Sequence, residues 1–212
     1  MQVLDNFLDE RLFQAFLAAV GAPDFPWQAS EVNSAPAPGL APQHNRQQVH
    51  GFYLRKPGIR YESPRFGLLR PVLGALAALA ALAPHTLVKA KLNRTPRLAD
   101  HVAYGLHVDT HWPGASTAIL YLNTNDGYTL FEDGSQVASV ANRLVLFDAR
   151  RRHTGVSCTD APERLVLNIN LAPLNAATSG TPGPRSPGHP AASPGTAAAH
   201  APDEPPAAGR PH

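Results

Sequence analysis

The stretch AYGLHVDTHWPG, residues 103–114, places His107, Asp109 and His111 at alternating positions just after Tyr104. One polar side chain in a half-apolar strand is ordinary. Three metal-ligating residue types within five positions call for a partner elsewhere in the chain. On an extended backbone, residues i and i+2 share a face about 7 Å apart, so neighbouring members of this set can converge on one ion.

The surrounding texture suggests how the chain comes back to that point. Thr86–Leu92 and Ala103–Val108 alternate as strands do, and Ser116–Leu122 (STAILYL) is β-rich and apolar. Asn125-Asp126-Gly127 and Glu132-Asp133-Gly134 read as turns on either side of YTLF, residues 128–131. Arg143–Phe147 (RLVLF) and Arg164–Ile169 (RLVLNI) complete the strands. Ahead of them, Phe7, Leu8, Leu12, Phe13, Phe16, Leu17 and Val20 recur at helical spacing, predicting an amphipathic helix over the first 20 residues. Leu68–Ala83 reads as a second helix closed by Pro84, and residues 22–50, rich in Pro and polar residues, as a long irregular loop. Two helices followed by six to eight short strands predict a mainly β fold. Its form is a double-stranded β-helix, or jelly roll, with the N-terminal helices packed on one sheet.

Within that fold a third ligand is available. His153 follows the strand RLVLFD directly, and an antiparallel sandwich readily returns it to the HVD segment. Two imidazoles and one carboxylate that leave metal positions open suit Fe(II) and oxygen chemistry. Arg164, eleven residues beyond His153, opens the last strand and could hold a dicarboxylate through a two-pronged salt bridge.

This ordered set resembles the 2-oxoglutarate- and Fe(II)-dependent oxygenases, and most closely their prolyl-4-hydroxylase-like branch with its small bacterial and phage members. The matching segments are Y-x-x-H-x-D at 104–109, Tyr121-Leu122-Asn123, G-x-T-x-F at 127–131, N-R-L-V-L-F-D at 142–148 and His153-Thr154-Gly155. The opening Val3-Leu4-Asp5-Asn6-Phe7-Leu8 is also similar, so the likeness spans roughly residues 3–171. It implies that His107, Asp109 and His153 bind Fe(II) and that Arg164 grips the distal carboxylate of 2-oxoglutarate. Tyr121 would hydrogen-bond that cosubstrate, and Tyr104 would share the pocket or form its wall. The implied reaction consumes O2, decarboxylates 2-oxoglutarate to succinate and hydroxylates an unactivated C–H bond, with ascorbate a candidate reductant. A prolyl or other amino-acid side chain is the nearest substrate class. Halogenation is disfavoured because Asp109 is present as the carboxylate ligand.

Other residues read more plainly. His111 has the parity of a ligand, but the family pattern leaves it outside the metal shell, at the pocket mouth. His85 and His101 read as surface residues, Lys89, Lys91, Asn93 and Arg94 as a polar sheet face with Asn93 or Arg94 as substrate-side candidates, and Arg150–Arg152 as a solvated turn at the pocket rim, where an anionic substrate stays open. Cys158 has no assigned role.

Composition bounds the alternatives. The chain has 212 residues, a formal net charge of +2 and one cysteine, which gives no case for a nucleic-acid partner or an internal disulfide. Its most apolar run, Val72–Ala83, is too short for a bilayer span of about 20 residues. Asp5, Asp9 and Glu10 occupy the region where a signal peptide is basic and then apolar, so a cytoplasmic location is expected. From Pro173 onward the chain holds 10 of its 22 prolines and one large apolar side chain, Leu174. Residues 1–172 are therefore expected to form the oxygenase domain and 173–212 a disordered Pro/Ala/Gly-rich tail that could contact a protein partner. The expected substrate is a small molecule or a peptidyl side chain. The rival readings are a cupin-like metal-binding module and a scaffold protein that acts through its tail.

Overall fold

A computed structural model describes residues 1–32, 41–79, 82 and 84–174. Residues 175–212 of the expected tail at 173–212, part of the 22–50 loop and Ala80, Ala81 and Ala83 of the expected second helix lie outside the described residues, whereas Pro173 closes the last strand, Glu163–Pro173.

Eleven strands form two antiparallel sheets. The larger has the order β1 (Gln2–Leu4), β9 (Arg143–Asp148), β6 (Ser116–Tyr121), β11 (Glu163–Pro173), β5 (His85–Pro96), β3 (Arg46–Lys56) and β2 (Gln28–Glu31), with β4 (Ile59–Glu62) also paired to β3. The smaller has the order β10 (His153–Val156), β7 (Tyr128–Phe131) and β8 (Gln136–Ala138). Among the described residues the α-helices are α1 (Glu10–Val20) and α2 (Arg70–Ala77), with short 3₁₀ helices at Pro42–Asn45 and Phe66–Leu69. The molecule is mainly β and of the jelly-roll type, as its strand pattern predicts.

Period-two alternation sorts the large sheet into two faces. Ala90 and Leu92, Ala118 and Leu120, Leu144 and Leu146, and Leu167, Ile169 and Leu171 turn to one side. There they join Phe13, Phe16 and Val20 of α1 and Val72 and Leu76 of α2 in a single apolar cluster. From the opposite face, Ile119, Tyr121, Val145, Phe147 and Val166 meet Phe131 and Val137 of the small sheet in a second cluster. The layers are helices, large sheet, small sheet, and the site lies between the two sheets.

Several expected boundaries move. The first residues form β1, paired with β9, and α1 starts only at Glu10, where Asp9 caps it by accepting from the amides of Arg11 and Leu12. Asn142 explains the early strand. Its amide group bonds both the N–H and the C=O of Leu8, tying the opening segment to the sheet. The second helix is shorter than expected: a 3₁₀ turn at Phe66–Leu69 leads into α2, which ends at Ala77. Pro84 is therefore not its terminator. The Leu79 N–H donates to the Leu76 carbonyl at 3.1 Å and the Leu82 N–H to the Leu79 carbonyl at 3.0 Å before β5 begins. The 22–50 segment is not one loop, because it contributes β2 and the start of β3.

Ala103–Val108 is a correction of another kind, since it is no regular strand. Only isolated bridges remain, Ala103 to Val156 and His107 to His153. Gly105, at φ 101°, breaks the extended run between them.

Candidate active site

The bridge between His107 and His153 places the two histidines directly opposite each other. Each backbone N–H donates to the other residue's carbonyl, at 2.9 and 3.0 Å. Asp109 lies two residues further on, and the nitrogen and oxygen donors of His107, Asp109 and His153 all fall within 4.8 Å of one another. His107 Nε2 is 3.9 Å from Asp109 Oδ1, and His153 Nε2 is 3.5 Å from Asp109 Oδ2.

The ring orientations suit a metal. His153 Nδ1 lies 3.0 Å from the Arg151 carbonyl, and His107 Nδ1 lies 3.3 Å from the Gly105 carbonyl. A carbonyl only accepts, so each Nδ1 carries the proton and each Nε2 lone pair is left facing Asp109. Burial lowers the pKa of His153, against the opposing pull of Asp109. The ring is thus neutral, as a ligand must be. For Asp109, burial alone would raise the pKa. His153, Lys89, the Asn168 amide and His107 outweigh it and hold the carboxyl below its usual range. Thr117 Oγ1 donates to Asp109 Oδ2 at 2.9 Å, and Asn168 Nδ2 donates to both oxygens, at 3.3 and 3.1 Å. With metal bonds of about 2.0–2.2 Å, the three donors would draw closer together to surround one ion.

These residues line a cavity of about 240 Å³ whose far end is formed by Arg164. That volume is small for a drug-sized ligand and suits a short polar molecule. Arg164 is buried, its Nε donates to Ser139 Oγ at 3.0 Å, and its Nη2 donates to Thr129 Oγ1 at 3.2 Å. The guanidinium lies 5.6 Å from the centre of the Tyr121 ring. Burial pulls its pKa down, and the opposing influences come from Tyr121, Tyr104 and Cys158. No carboxylate among the described residues pairs with it. Room for the side chain depends on Gly127, where a Cβ would stand 2.9 Å from Arg164 Cδ.

The two tyrosines differ in place. Tyr104 lines the cavity wall, and burial pushes its phenol up to about 12. Tyr121 does not reach the cavity surface. Its hydroxyl donates to Thr129 Oγ1 at 2.7 Å, and its ring underlies Arg164. Thr129, which lines the cavity, thus has its Oγ1 within hydrogen-bond distance of both the Tyr121 hydroxyl and Arg164 Nη2, and the Tyr121 hydroxyl also lies 3.3 Å from the Val137 carbonyl. Thr129, Ser139, Thr117 and Asn168 were not singled out as functional in the sequence; their alternation on site-facing strands is the one signal that could have marked them. His111 is exposed and stands outside the ligand group, His101 pairs with Asp126, and each of Arg150, Arg151 and Arg152 pairs with a surface acid. Among the described residues, no helix is long and apolar enough to cross a membrane.

No protein-family model matches the chain, and no curated protein sequence does. Solved structures do. An oxidoreductase of the 2OG-Fe(II) oxygenase family from Burkholderia pseudomallei superposes with TM-score 0.55 at 13% identity, covering 80% of this chain and 84% of its own. A prolyl hydroxylase from Trichoplax adhaerens, in complex with a peptide fragment of the hypoxia inducible factor oxygen degradation domain, gives 0.54 at 15% identity, covering 85% and 87%. The non-heme alpha ketoglutarate dependent epimerase SnoN from nogalamycin biosynthesis gives 0.56 at 16%, covering 81% and 75%. The chain thus has the fold of the 2-oxoglutarate- and Fe(II)-dependent oxygenases, prolyl hydroxylases included. Two of these neighbours are named for different reactions, a prolyl hydroxylase and an epimerase, so the fold leaves the reaction open.

Proposed function

We propose that this protein is a 2-oxoglutarate- and Fe(II)-dependent oxygenase that hydroxylates an unactivated C–H bond of a small-molecule or peptidyl substrate. The observation that carries this reading is Arg164, a buried cation without an acidic partner, facing the same small cavity as the His107, Asp109 and His153 donors. A buried charge needs a counter-charge, and a metal site alone has no use for this one. A dicarboxylate that reaches from the metal to Arg164 supplies it. That argues against a cupin-like module that only holds metal.

His107, Asp109 and His153 would hold the ion, with both Nδ1 protons fixed on backbone carbonyls and Asp109 fixed by Thr117 and Asn168. Arg164 would bind and orient the distal carboxylate as a charged fork, with Thr129 beside it in the same cavity lining. Tyr104, Ile119 and Val166 would wall the cavity and keep water from it. When bound, iron and 2-oxoglutarate supply the oxidising power, with O2 consumed, CO2 and succinate released and a hydroxyl group placed on the substrate.

The test is succinate release from 2-oxoglutarate by the full chain supplied with Fe(II) and ascorbate. Succinate should form, and His107→Ala, Asp109→Ala and His153→Ala should each abolish it. Arg164→Ala should raise the KM for 2-oxoglutarate at least tenfold while iron affinity is kept. Iron-loaded protein that neither binds nor turns over 2-oxoglutarate would overturn the reading.

A further inference from the structure

The cavity at the metal donors opens into a second hollow of about 580 Å³, and the two share Lys89, Lys91 and Asp109 in their linings. The outer hollow lies over β3 and β5. Arg55, Trp112, Tyr53 and Tyr61 form much of its wall, and the Arg55 guanidinium sits 5.6 Å from the centre of the Trp112 ring.

Its charge is one-sided. Among the described residues, Asp109 is the sole acid lining either hollow, against Lys89, Lys91, Arg55 and Lys56 in the outer one and Arg164 in the inner one. Arg150, Arg151 and Arg152, the basic run most visible in the sequence, are neutralised on Asp148, Asp133 and Glu132. Lys89 and Lys91 form no ion pair among the described residues. They sit two apart on one strand, so their side chains share a face about 7 Å apart. Across the sheet, Lys91 is registered with Asn168 and Lys89 with Asn170. Both asparagines spend their Nδ2 group, on Asp109 and on Thr117, and the Oδ1 of each is buried without a hydrogen-bond partner. Burial and the neighbouring Lys89 charge together lower the Lys91 pKa to about 8.

If the site holds iron and 2-oxoglutarate, the charges there balance without the lysines: Fe(II) with Asp109, the cosubstrate dianion and Arg164 come to zero. Lys89 and Lys91 are then left uncompensated at the point where the substrate must enter. We propose that the substrate is an anion whose carboxylate or phosphate group seats on Lys89 and Lys91, with the adjoining part of the molecule against Trp112. This rests on the oxygenase reading for its chemistry, but the cationic seat itself is a property of the folded chain. A neutral substrate would leave two like charges facing each other in the closed complex.

The test uses the full chain carrying Trp27→Phe, so that Trp112 is the one tryptophan and its fluorescence reports on the outer hollow. Anaerobic protein loaded with Fe(II) and 2-oxoglutarate is titrated with N-acetylaspartate, with inorganic phosphate and with the neutral N-acetylasparagine amide. At least one anion should give a saturable change that Lys89→Gln/Lys91→Gln weakens tenfold or more and Arg150→Gln leaves alone. The neutral analogue should give none. The anion that binds more tightly identifies the substrate's charged group. Absence of a saturable response to either anion, or a response unchanged in the double lysine variant, overturns the proposal. The same titration on metal-free protein separates the two levels. Anion binding there without any iron or 2-oxoglutarate binding would sink the oxygenase reading and keep the anionic seat, whereas normal cosubstrate binding with no anion response would sink the seat alone.

Discussion

Asp109 shows how much of the site depends on side chains that touch no ligand themselves. It is held by the Thr117 hydroxyl and the Asn168 amide, and Asn170 in turn donates to Thr117 at 3.0 Å. Thr117→Val keeps the shape and removes the donor. It should weaken Fe(II) affinity about 10–100-fold with little change in melting temperature, as read by anaerobic metal titration and thermal unfolding. Lys91 offers a test with a definite sign. Its folded pKa of about 8 lies below the ordinary lysine value, so the unfolded chain binds the extra proton between about pH 8 and 10.5. Stability therefore rises with pH across that window, and below it the folded state bears the full cost of the charge. Lys91→Met should stabilise the ligand-free protein at pH 7 by on the order of 1–2 kcal/mol, allowing for solvent in the groove, and the gain should fade towards pH 10. A gain independent of pH would contradict the charge argument. At this scale the sequence was legible where residue types are few in their uses. A His-x-Asp with a later His and Arg has a narrow set of chemical roles. Thr129, Ser139 and Asn168 do not, because hydroxyls and amides serve many positions and acquire a role only from the groups that folding brings beside them.

Among the elements, the hairpin-like returns that carry the ligands were easier to read than the opening of the chain. RLVLF and RLVLNI are continuous β-branched and leucine runs, and they appear as β9 and β11 with modest extensions. The β3 strand was hidden. A register shift between Gly51 and Tyr53 breaks its period-two pattern, and polar Arg46, Gln47 and Gln48 begin it. The β1 strand was hidden too, since three residues carry no periodicity and its partner β9 is distant in sequence. Its ladder to β9 is backed by Asn142, at φ 59° and bonded twice to Leu8 in the segment that follows β1. Asn142→Ala should destabilise by about 1–3 kcal/mol, from lost hydrogen bonds to buried backbone and from strain at the left-handed backbone. Asn142→Gly should cost less, because glycine relieves the strain but not the lost bonds. Urea unfolding of the two variants, with equal losses, would remove the strain component.

For the whole molecule, the two apolar clusters are complete without any ion. The fold should therefore survive metal removal, with melting still cooperative after chelation and dialysis. Fe(II) at about 100 times its Kd should add about 2.7 kcal/mol through binding to the native state alone. Because a protonated imidazole cannot ligate, that increment should shrink as pH falls through the histidine range. A chain that loses its structure on chelation would instead be one in which the metal builds the fold. Helices packed on one sheet are what the sequence pattern predicted, whereas the placement of the site on the opposite face of that sheet comes from the fold. The cationic outer hollow was not foreseeable. It needs Arg55, Lys89, Lys91 and Trp112 from three separate segments, and the run of basic residues that did stand out turned out to be paired.

The central claim is that one cavity holds both a metal and a dicarboxylate. The most direct measurement is visible absorption of anaerobic protein titrated with Fe(II) and then with 2-oxoglutarate. A weak charge-transfer band should develop only with both present, vanish in Asp109→Ala and require much higher 2-oxoglutarate in Arg164→Ala. Iron that binds to the wild type with no band, and no change on adding 2-oxoglutarate, would contradict it.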